Sequence, residues 1–163
     1  MFRSRDQGPL SVFLIVNECG NHGMSADPLI VWTRSALASY WSAPGDDTRG
    51  ILANSFPLTT ILARGYAIAT SRSSDIEEDR ATPDIAWGVI GAGAYGMSRA
   101  VDDLVDAPRI DGARIAVVGS SRWAKTALRA GAQDERIELV LRSRAALPGS
   151  RSRAAWRASP SRF

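Results

Sequence analysis

The segment Gly119-Ser120-Ser121 follows a short apolar run at residues 115–118 and precedes a helical pattern at residues 122–131. The apolar run is typical of a buried strand, so the sequence predicts a strand, a tight turn and a helix in succession. A serine on such a turn projects its hydroxyl off the carboxyl end of the sheet, as in a nucleophile elbow. The helix that follows directs its first backbone N–H groups and the positive end of its dipole at an oxyanion forming there. Ser121 is therefore the candidate nucleophile.

The elbow pattern is matched only in part. Gly119, two residues before Ser121, lets the turn close, but the position two residues after it holds Trp123, where the G-x-S-x-G pattern has a second glycine. Glycine and serine are also common at helix N-termini, where they cap free N–H groups. A plain helix cap after a strand therefore remains an alternative.

A second motif, between Gly91 and Gly96, spells G-x-G-x-x-G. A dinucleotide-binding fingerprint of this kind has to follow a strand, and an acidic residue has to close the next strand. Here the motif lies inside a helical pattern that starts near Pro83, and the next predicted strand ends in Gly-Ser. We interpret these glycines as close-packing positions in a buried helix. A dinucleotide-binding module remains the alternative.

The chain contains one histidine, His22, and one cysteine, Cys19. Together they exclude an ordinary His/Cys metal site and an intramolecular disulfide. The acidic run at residues 75–79 lacks the spacing of a calcium loop, so we expect no metal or other cofactor. His22 precedes Ser121, whereas hydrolases with a nucleophile elbow place their histidine after the serine. We expect a loop histidine bonded to nearby backbone, one that could at most help shape a pocket, and a small buried cysteine.

The apolar patterns alternate between strand and helix along the chain. Strands are predicted at residues 11–16, 66–70, 115–118 and 137–141, and helices near 31–40, at 56–65, from about 83 to 104 and at 122–131. A turn is expected at residues 106–112. This alternation predicts an α/β fold with a mostly parallel sheet and helices on both faces.

The net charge of +3 comes from the end of the chain. Residues 142–163 hold six arginines and no acidic residue, so residues 1–141 carry −3. Lys125 is the only lysine. No apolar run reaches the length of a membrane-spanning helix, and the short run near the N-terminus lacks the flanks of a signal peptide. We expect no membrane partner and no specific nucleic-acid partner.

The segment GSSRWAKTALRAGAQDER resembles the signature of the glucuronoyl methylesterases, carbohydrate esterases of α/β-hydrolase fold. Three further segments resemble that family in the same order, namely VFLIVNECGNHGMSADPLI, ILARGYAIATSRSSDIEED and WGVIGAGAYGMSRAVDDL. The likeness covers roughly residues 10–141. Members of this family are typically exported, but the sequence leaves the compartment of this protein open.

The resemblance implies a role for each matched position. Ser121 would be the nucleophile, Arg122 would stabilise the oxyanion, and Lys125 would bind hydroxyls of a uronic acid ring. Lys125 lies one helical turn after Ser121 and thus on the same side of the helix. The substrate would be a glucuronate ester of the plant polysaccharide glucuronoxylan. A solvated Lys125 and an Arg122 held in a surface ion pair are the structural alternatives, and Ala124 replaces a glycine usual in the family and could strain the turn.

No histidine follows Ser121 to act as its base. We therefore expect residues 1–141 to be the N-terminal portion of a catalytic domain, followed by an irregular Arg/Ser/Ala-rich tail at 142–163. A truncated or frameshifted gene end would explain that tail, which family-like sequence in a neighbouring reading frame would reveal. Such a chain would be inactive and would leave the strand at 137–141 near an unpaired sheet edge. A non-catalytic fragment with a nonspecific anion-binding tail is the remaining alternative.

Overall fold

A computed structural model describes residues 1, 8–32, 48–72, 75, 88–143 and 155–157. Within these residues lie five strands and four helices. In chain order they are β1 (Leu10–Asn17), α1 (Asn21–Met24), α2 (Leu58–Ala63), β2 (Ala67–Arg72), α3 (Gly88–Val105), β3 (Ile110–Ser120), α4 (Arg122–Gln133), β4 (Ile137–Ser143) and β5 (Ala155–Arg157). Among the described residues, no helix is long and apolar enough to span a membrane.

The strands form one sheet in the order β2-β1-β3-β4-β5. The first four run parallel, and β5 pairs antiparallel with β4. On β1, Phe13 is opposite Ile68 of β2 and Ala116 of β3. The predicted α/β class with a mostly parallel sheet is confirmed.

Helices cover both faces of the sheet. On one face α3 and α4 pack together over a large core that includes Leu14, Met97, Val117 and Trp123. On the other face α2 and residues 48–56 cover a smaller core built around Ile15, with partly buried side chains of α2 packed against it. Right-handed crossovers account for this division. The step from β1 to β2 and the step from β2 to β3 run in opposite directions across the sheet, so the connecting helices lie on opposite faces.

The structure corrects three details of the predicted elements. Residues 110–112 begin β3 instead of belonging to a turn, and the strand continues through Ser120. A Cβ atom on Gly112 would lie 3.2 Å from the backbone of Val105, so the chain can enter the strand directly beneath the end of α3. The outer edge of β4 is paired with β5 between residues 139 and 141, contrary to the unpaired edge expected there. Val31 and Trp32 are not helical, and the rest of the helix predicted near 31–40 lies outside the described residues, as does the start of the helix at Pro83.

Part of the predicted tail is regular. Strand β4 runs to Ser143, two residues past the expected boundary, and β5 lies wholly within residues 142–163. The boundary at residue 141 remains a prediction.

Close packing joins α3 to α4. A Cβ atom on Gly93 would lie 2.8 Å from the Thr126 methyl and 3.1 Å from the Trp123 ring. Glycine in a helix costs about 1 kcal/mol relative to alanine, and here the missing side chain lets the two helices approach. This contact fits the interpretation of Gly93 as a close-packing position.

Arg136 links the turn after α4 to the side of α3. Its guanidinium donates to both carboxylate oxygens of Asp134, at 2.8 and 2.7 Å, and to Asp102 at 2.7 Å. Asp134 is buried, and the hydrogen bond from the Arg136 side chain holds the pKa of the Asp134 carboxyl below its ordinary value. This gives a structural role to Asp134 and Arg136, which lie at the end of the segment that carries the sequence resemblance.

The contribution of Asp134 to the free energy of unfolding should depend on pH. Because its pKa is lower in the folded chain, the stabilisation is complete above the unfolded value of about 3.9 and is lost as the pH falls through the folded value. The free energy of unfolding can be measured with urea between pH 3 and 6. The difference between wild type and Asp134→Asn should be largest near pH 6. Asp103→Asn removes an exposed carboxylate of α3 and serves as control. A gap for Asp134→Asn that stays constant down to pH 3 would contradict this assignment.

Candidate functional site

Ser121 occupies a strained turn at the carboxyl end of β3. Its backbone angles are φ 52° and ψ −115°, and it is the N-cap residue of α4. Among the described residues only Arg109 and Ser121 combine a side chain with a positive φ. Such backbone conformations cost about 1–3 kcal/mol and cluster at active sites. The Ser121 side chain is exposed and makes no capping hydrogen bond, so the turn presents the hydroxyl to solvent and does not use it to cap the start of the helix.

Gly119 is the residue that permits this turn. The first turn of α4 folds back over it, so that a Cβ atom there would overlap the carbonyl group of Trp123 and lie 2.8 Å from the nitrogen of Ala124. These are backbone atoms of the helix and cannot move aside without shifting α4. The sequence interpretation of Gly119 as the small residue that closes the turn agrees with this geometry.

Trp123 takes the place of the second glycine of the elbow pattern without blocking the site. Its side chain is buried in the core beneath α4, and its indole N–H donates to the Glu18 carboxylate at 2.9 Å. Ala124 is also buried, and its N–H donates to the Ser121 carbonyl at 3.2 Å. The side chains of Trp123 and Ala124 are therefore both buried, and neither covers the exposed side of the elbow.

Arg122 and Lys125 are exposed on the first turn of α4. They share the solvent side of the helix with Ser121, which places two positive charges beside the candidate nucleophile. Among the described residues, no carboxylate lies within salt-bridge distance of Lys125. Their roles in catalysis and substrate binding remain predictions.

His22 lies away from solvent on α1 and is completely buried. Its Nε2 atom is 2.9 Å from the Thr48 hydroxyl, and its ring faces that of Trp32 at 6.0 Å. A side chain without accessible surface cannot line a pocket, so in this structure His22 supports the packing of residues 48–52 against the sheet.

The loop after β1 contributes a residue that sequence reasoning missed, Glu18. Asn17 shapes this loop by accepting a hydrogen bond from the N–H of Gly20 at 2.6 Å. Burial raises the pKa of the neighbouring Cys19 thiol to about 11, and the Glu18 carboxylate adds to that shift. Cys19 is buried as predicted. The one sequence signal for Glu18 is an acidic residue directly after a buried strand.

No set of metal ligands is present in the described part of the chain, where no three His, Cys, Asp or Glu side chains cluster. The motif between Gly91 and Gly96 lies inside α3 and not at a strand–helix junction. The arrangement of a nucleotide fingerprint is therefore missing from this segment.

Replacing Ser121 by glycine should raise stability. The side chain makes no capping bond, and glycine relieves the strain at positive φ, so Ser121→Gly should gain about 1 kcal/mol after the entropy cost of glycine. Ser120→Gly, in the last residue of β3, should lose stability. The free energy of unfolding of both variants can be measured with urea and compared with that of wild type. A Ser121→Gly variant less stable than wild type would mean that the turn is not strained.

Gly119→Ala should be strongly destabilising, by at least about 3 kcal/mol, because the new methyl meets helix backbone. Gly8→Ala is the matched control, since a Cβ atom there has nothing within 4 Å, and it should change stability by less than about 0.5 kcal/mol. Thermal unfolding would measure both, and equal melting temperatures would refute the close approach.

Comparison with known proteins identifies the family of this arrangement. A family model described as "Glucuronyl esterase, fungi" matches residues 82–162, which include the elbow. A carbohydrate esterase from an unknown prokaryotic organism is 31% identical over 153 residues, covering 80% of this chain and 35% of that protein. The 4-O-methyl-glucuronoyl methylesterase of Hypocrea jecorina is 43% identical over 74 residues, covering 44% of this chain and 15% of that protein.

Solved structures agree with the sequence matches. A promiscuous CE15 esterase from a marine bacterial metagenome superposes with a TM-score of 0.71 at 30% identity, and a glucuronoyl esterase from Solibacter usitatus with a TM-score of 0.69 at 30% identity. Each alignment covers 82% of this chain and 39% of the solved chain. The chain thus spans between about a seventh and two fifths of the length of these relatives. The strand order, the elbow and these matches together show that the chain belongs to the glucuronoyl esterase family, whose members have the α/β-hydrolase fold.

Proposed function

We propose that the protein is a serine carboxylic-ester hydrolase that acts on glucuronate esters, with Ser121 as its nucleophile. The observation that carries the proposal is the backbone of Ser121, which is strained at φ 52° and ψ −115° between β3 and α4. This conformation exposes the hydroxyl at the carboxyl end of a central strand. A turn that served only to cap α4 would gain nothing from that strain.

The chemistry follows from the parts of the turn. Ser121 Oγ attacks the ester carbonyl carbon while a general base accepts the hydroxyl proton. The negative charge that develops on the carbonyl oxygen is stabilised by N–H groups at the start of α4 and by the Arg122 guanidinium. The C–O bond to the alcohol breaks, and the alcohol leaves with the proton. Water then attacks the acyl group on Ser121 and releases the acid.

Two exposed cations support a uronic acid as the acyl part. Arg122 carries a charge that favours the oxyanion, and the three N–H donors of Lys125 suit the hydroxyls of a sugar ring. The relative from Hypocrea jecorina is named for action on 4-O-methyl-glucuronoyl methyl esters. We assign the same substrate class to this family member, and glucuronoxylan of plant cell walls as the polymer that bears it.

The general base has to be an imidazole or its equivalent that reaches Ser121. His22, the one histidine of the sequence, is completely buried and bonded to Thr48. It therefore offers no accessible nitrogen to a proton on Ser121. We expect the purified 163-residue chain to hydrolyse a glucuronate ester slowly or not at all in plain buffer.

Imidazole in the buffer should replace the missing base. General base catalysis contributes about 10²–10⁴-fold, so imidazole should raise hydrolysis of benzyl glucuronate by the chain at least about tenfold above that by Ser121→Ala. The Ser121→Ala rate also corrects for direct attack of imidazole on the ester.

Ser120→Ala provides the matched control, because it removes the adjacent hydroxyl and keeps the elbow serine. Its imidazole-assisted rate should equal that of wild type. Equal rates in wild type and Ser121→Ala at every imidazole concentration would reject Ser121 as nucleophile. Robust hydrolysis by wild type in plain buffer would instead reject the need for an added base.

A further inference from the structure

Glu18 and Trp123 join two loops at the carboxyl edge of the sheet. Glu18 is the first residue after β1, and Trp123 is the second residue of α4. The indole N–H of Trp123 donates to Glu18 Oε1 at 2.9 Å across 105 residues of sequence. A hydrogen bond to an ionised acceptor is about twice as strong as one between neutral groups. The pair therefore ties the loop after β1 firmly to the helix that begins at the elbow.

Trp123 is held from three directions. Its indole ring packs against the α3 backbone at Gly93, where a Cβ atom would come within 3.1 Å of the ring. Its own carbonyl group covers Gly119, in the space that a side chain would need. The bond to Glu18 fixes the third direction, that of the polar edge of the ring. A shift of the indole would therefore move the backbone that closes the elbow.

The loop after β1, which carries Glu18, is itself held in place. Asn17 accepts a hydrogen bond from the N–H of Gly20 at 2.6 Å and donates one to the Ser71 carbonyl of β2 at 3.3 Å. Gly20 has φ 90°, a conformation that suits glycine. Glu18 lies between these two fixed residues, so its carboxylate is presented to Trp123 by a loop that is braced against the neighbouring strand.

We propose that Glu18 is a positioning residue for the nucleophile, which it holds in its strained conformation through the indole of Trp123. This inference rests on the proposed role of Ser121. The strained turn tends to relax, and relaxation requires the first turn of α4 to lift off Gly119. The Glu18 bond opposes that movement because Trp123 cannot follow the helix without breaking it.

Hydrogen exchange of the full chain tests the linkage without any catalysis. The N–H of Ala124 donates to the Ser121 carbonyl, so its exchange rate reports opening of the elbow. Glu18→Leu should speed exchange of the Ala124 amide by about tenfold or more, in line with the loss of a hydrogen bond to a charged group. Exchange of the Val117 amide in the middle of β3 should change only as far as global stability, measured with urea, changes.

Three further variants separate positioning from a general loss of stability. Glu18→Gln keeps an acceptor for the indole and should restore most of the protection of Ala124. Trp123→Phe removes the donor and should act like Glu18→Leu, with no added effect in the double variant. Glu135→Leu removes an exposed glutamate beyond the far end of α4 and should leave Ala124 unaffected. Exchange at Ala124 that is equal in Glu18→Leu and Glu18→Gln would overturn the proposal.

Activity distinguishes this inference from the proposed function. In the imidazole-assisted reaction, Glu18→Leu should lower kcat by about tenfold with little change in KM, since it misplaces the nucleophile and leaves the exposed cations. Glu18→Gln should recover that loss. A rise in KM at constant kcat would count against a positioning role. If no Ser121-dependent hydrolysis is found at all, the proposed function fails, while the exchange experiment still decides whether Glu18 holds the elbow.

Discussion

The carbonyl of Trp123 lies where a side chain at position 119 would have to be, and this close approach determines the rest of the site. Only a residue without a Cβ atom allows α4 to start so near the end of β3. The tight turn then forces a positive φ on Ser121 and exposes its hydroxyl. The same contact places Trp123 in the core and leaves Arg122 and Lys125 on the outside. The chemistry of the first turn of α4 is thus a consequence of one missing methyl group.

Much of the fold could be predicted from local patterns, because each element has a clear one. The four parallel strands are apolar runs, and α3 repeats apolar residues at helical spacing, so their types were predictable although their ends were not. The extension of β3 back to Ile110 accompanies the pairing of Ile110 with Leu10 of β1 and the close approach of Gly112 to Val105, which are contacts between separate elements. Strand β5 lies in an Arg-rich segment without strand periodicity, and its pairing with β4 is a contact that no local pattern indicates.

The turn that carries the candidate site was predictable from the local sequence. Gly119 and Ser121 are only two residues apart in sequence, so the local motif was sufficient to indicate the turn. Glu18 approaches the elbow through a contact that spans 105 residues, and no local pattern reveals it. His22 shows the same limit, since its complete burial depends on packing with Thr48 from a distant segment. Asp134 and Arg136 lie at the end of the segment that resembles the family signature, but the link to α3 through Asp102 required the structure.

The sheet order has a consequence for where a ligand can bind. Strand β2 lies on one side of β1 in the sheet, whereas β3 and then β4 lie on its other side. The chain therefore changes its winding direction between β1 and β3, and the loops that leave these two strands diverge. In open α/β sheets the crevice at such a topological switch point is the usual ligand site. Glu18 and Ser121 directly follow these two strands, so the hydrogen bond between Glu18 and Trp123 joins the two chain segments that flank the switch point.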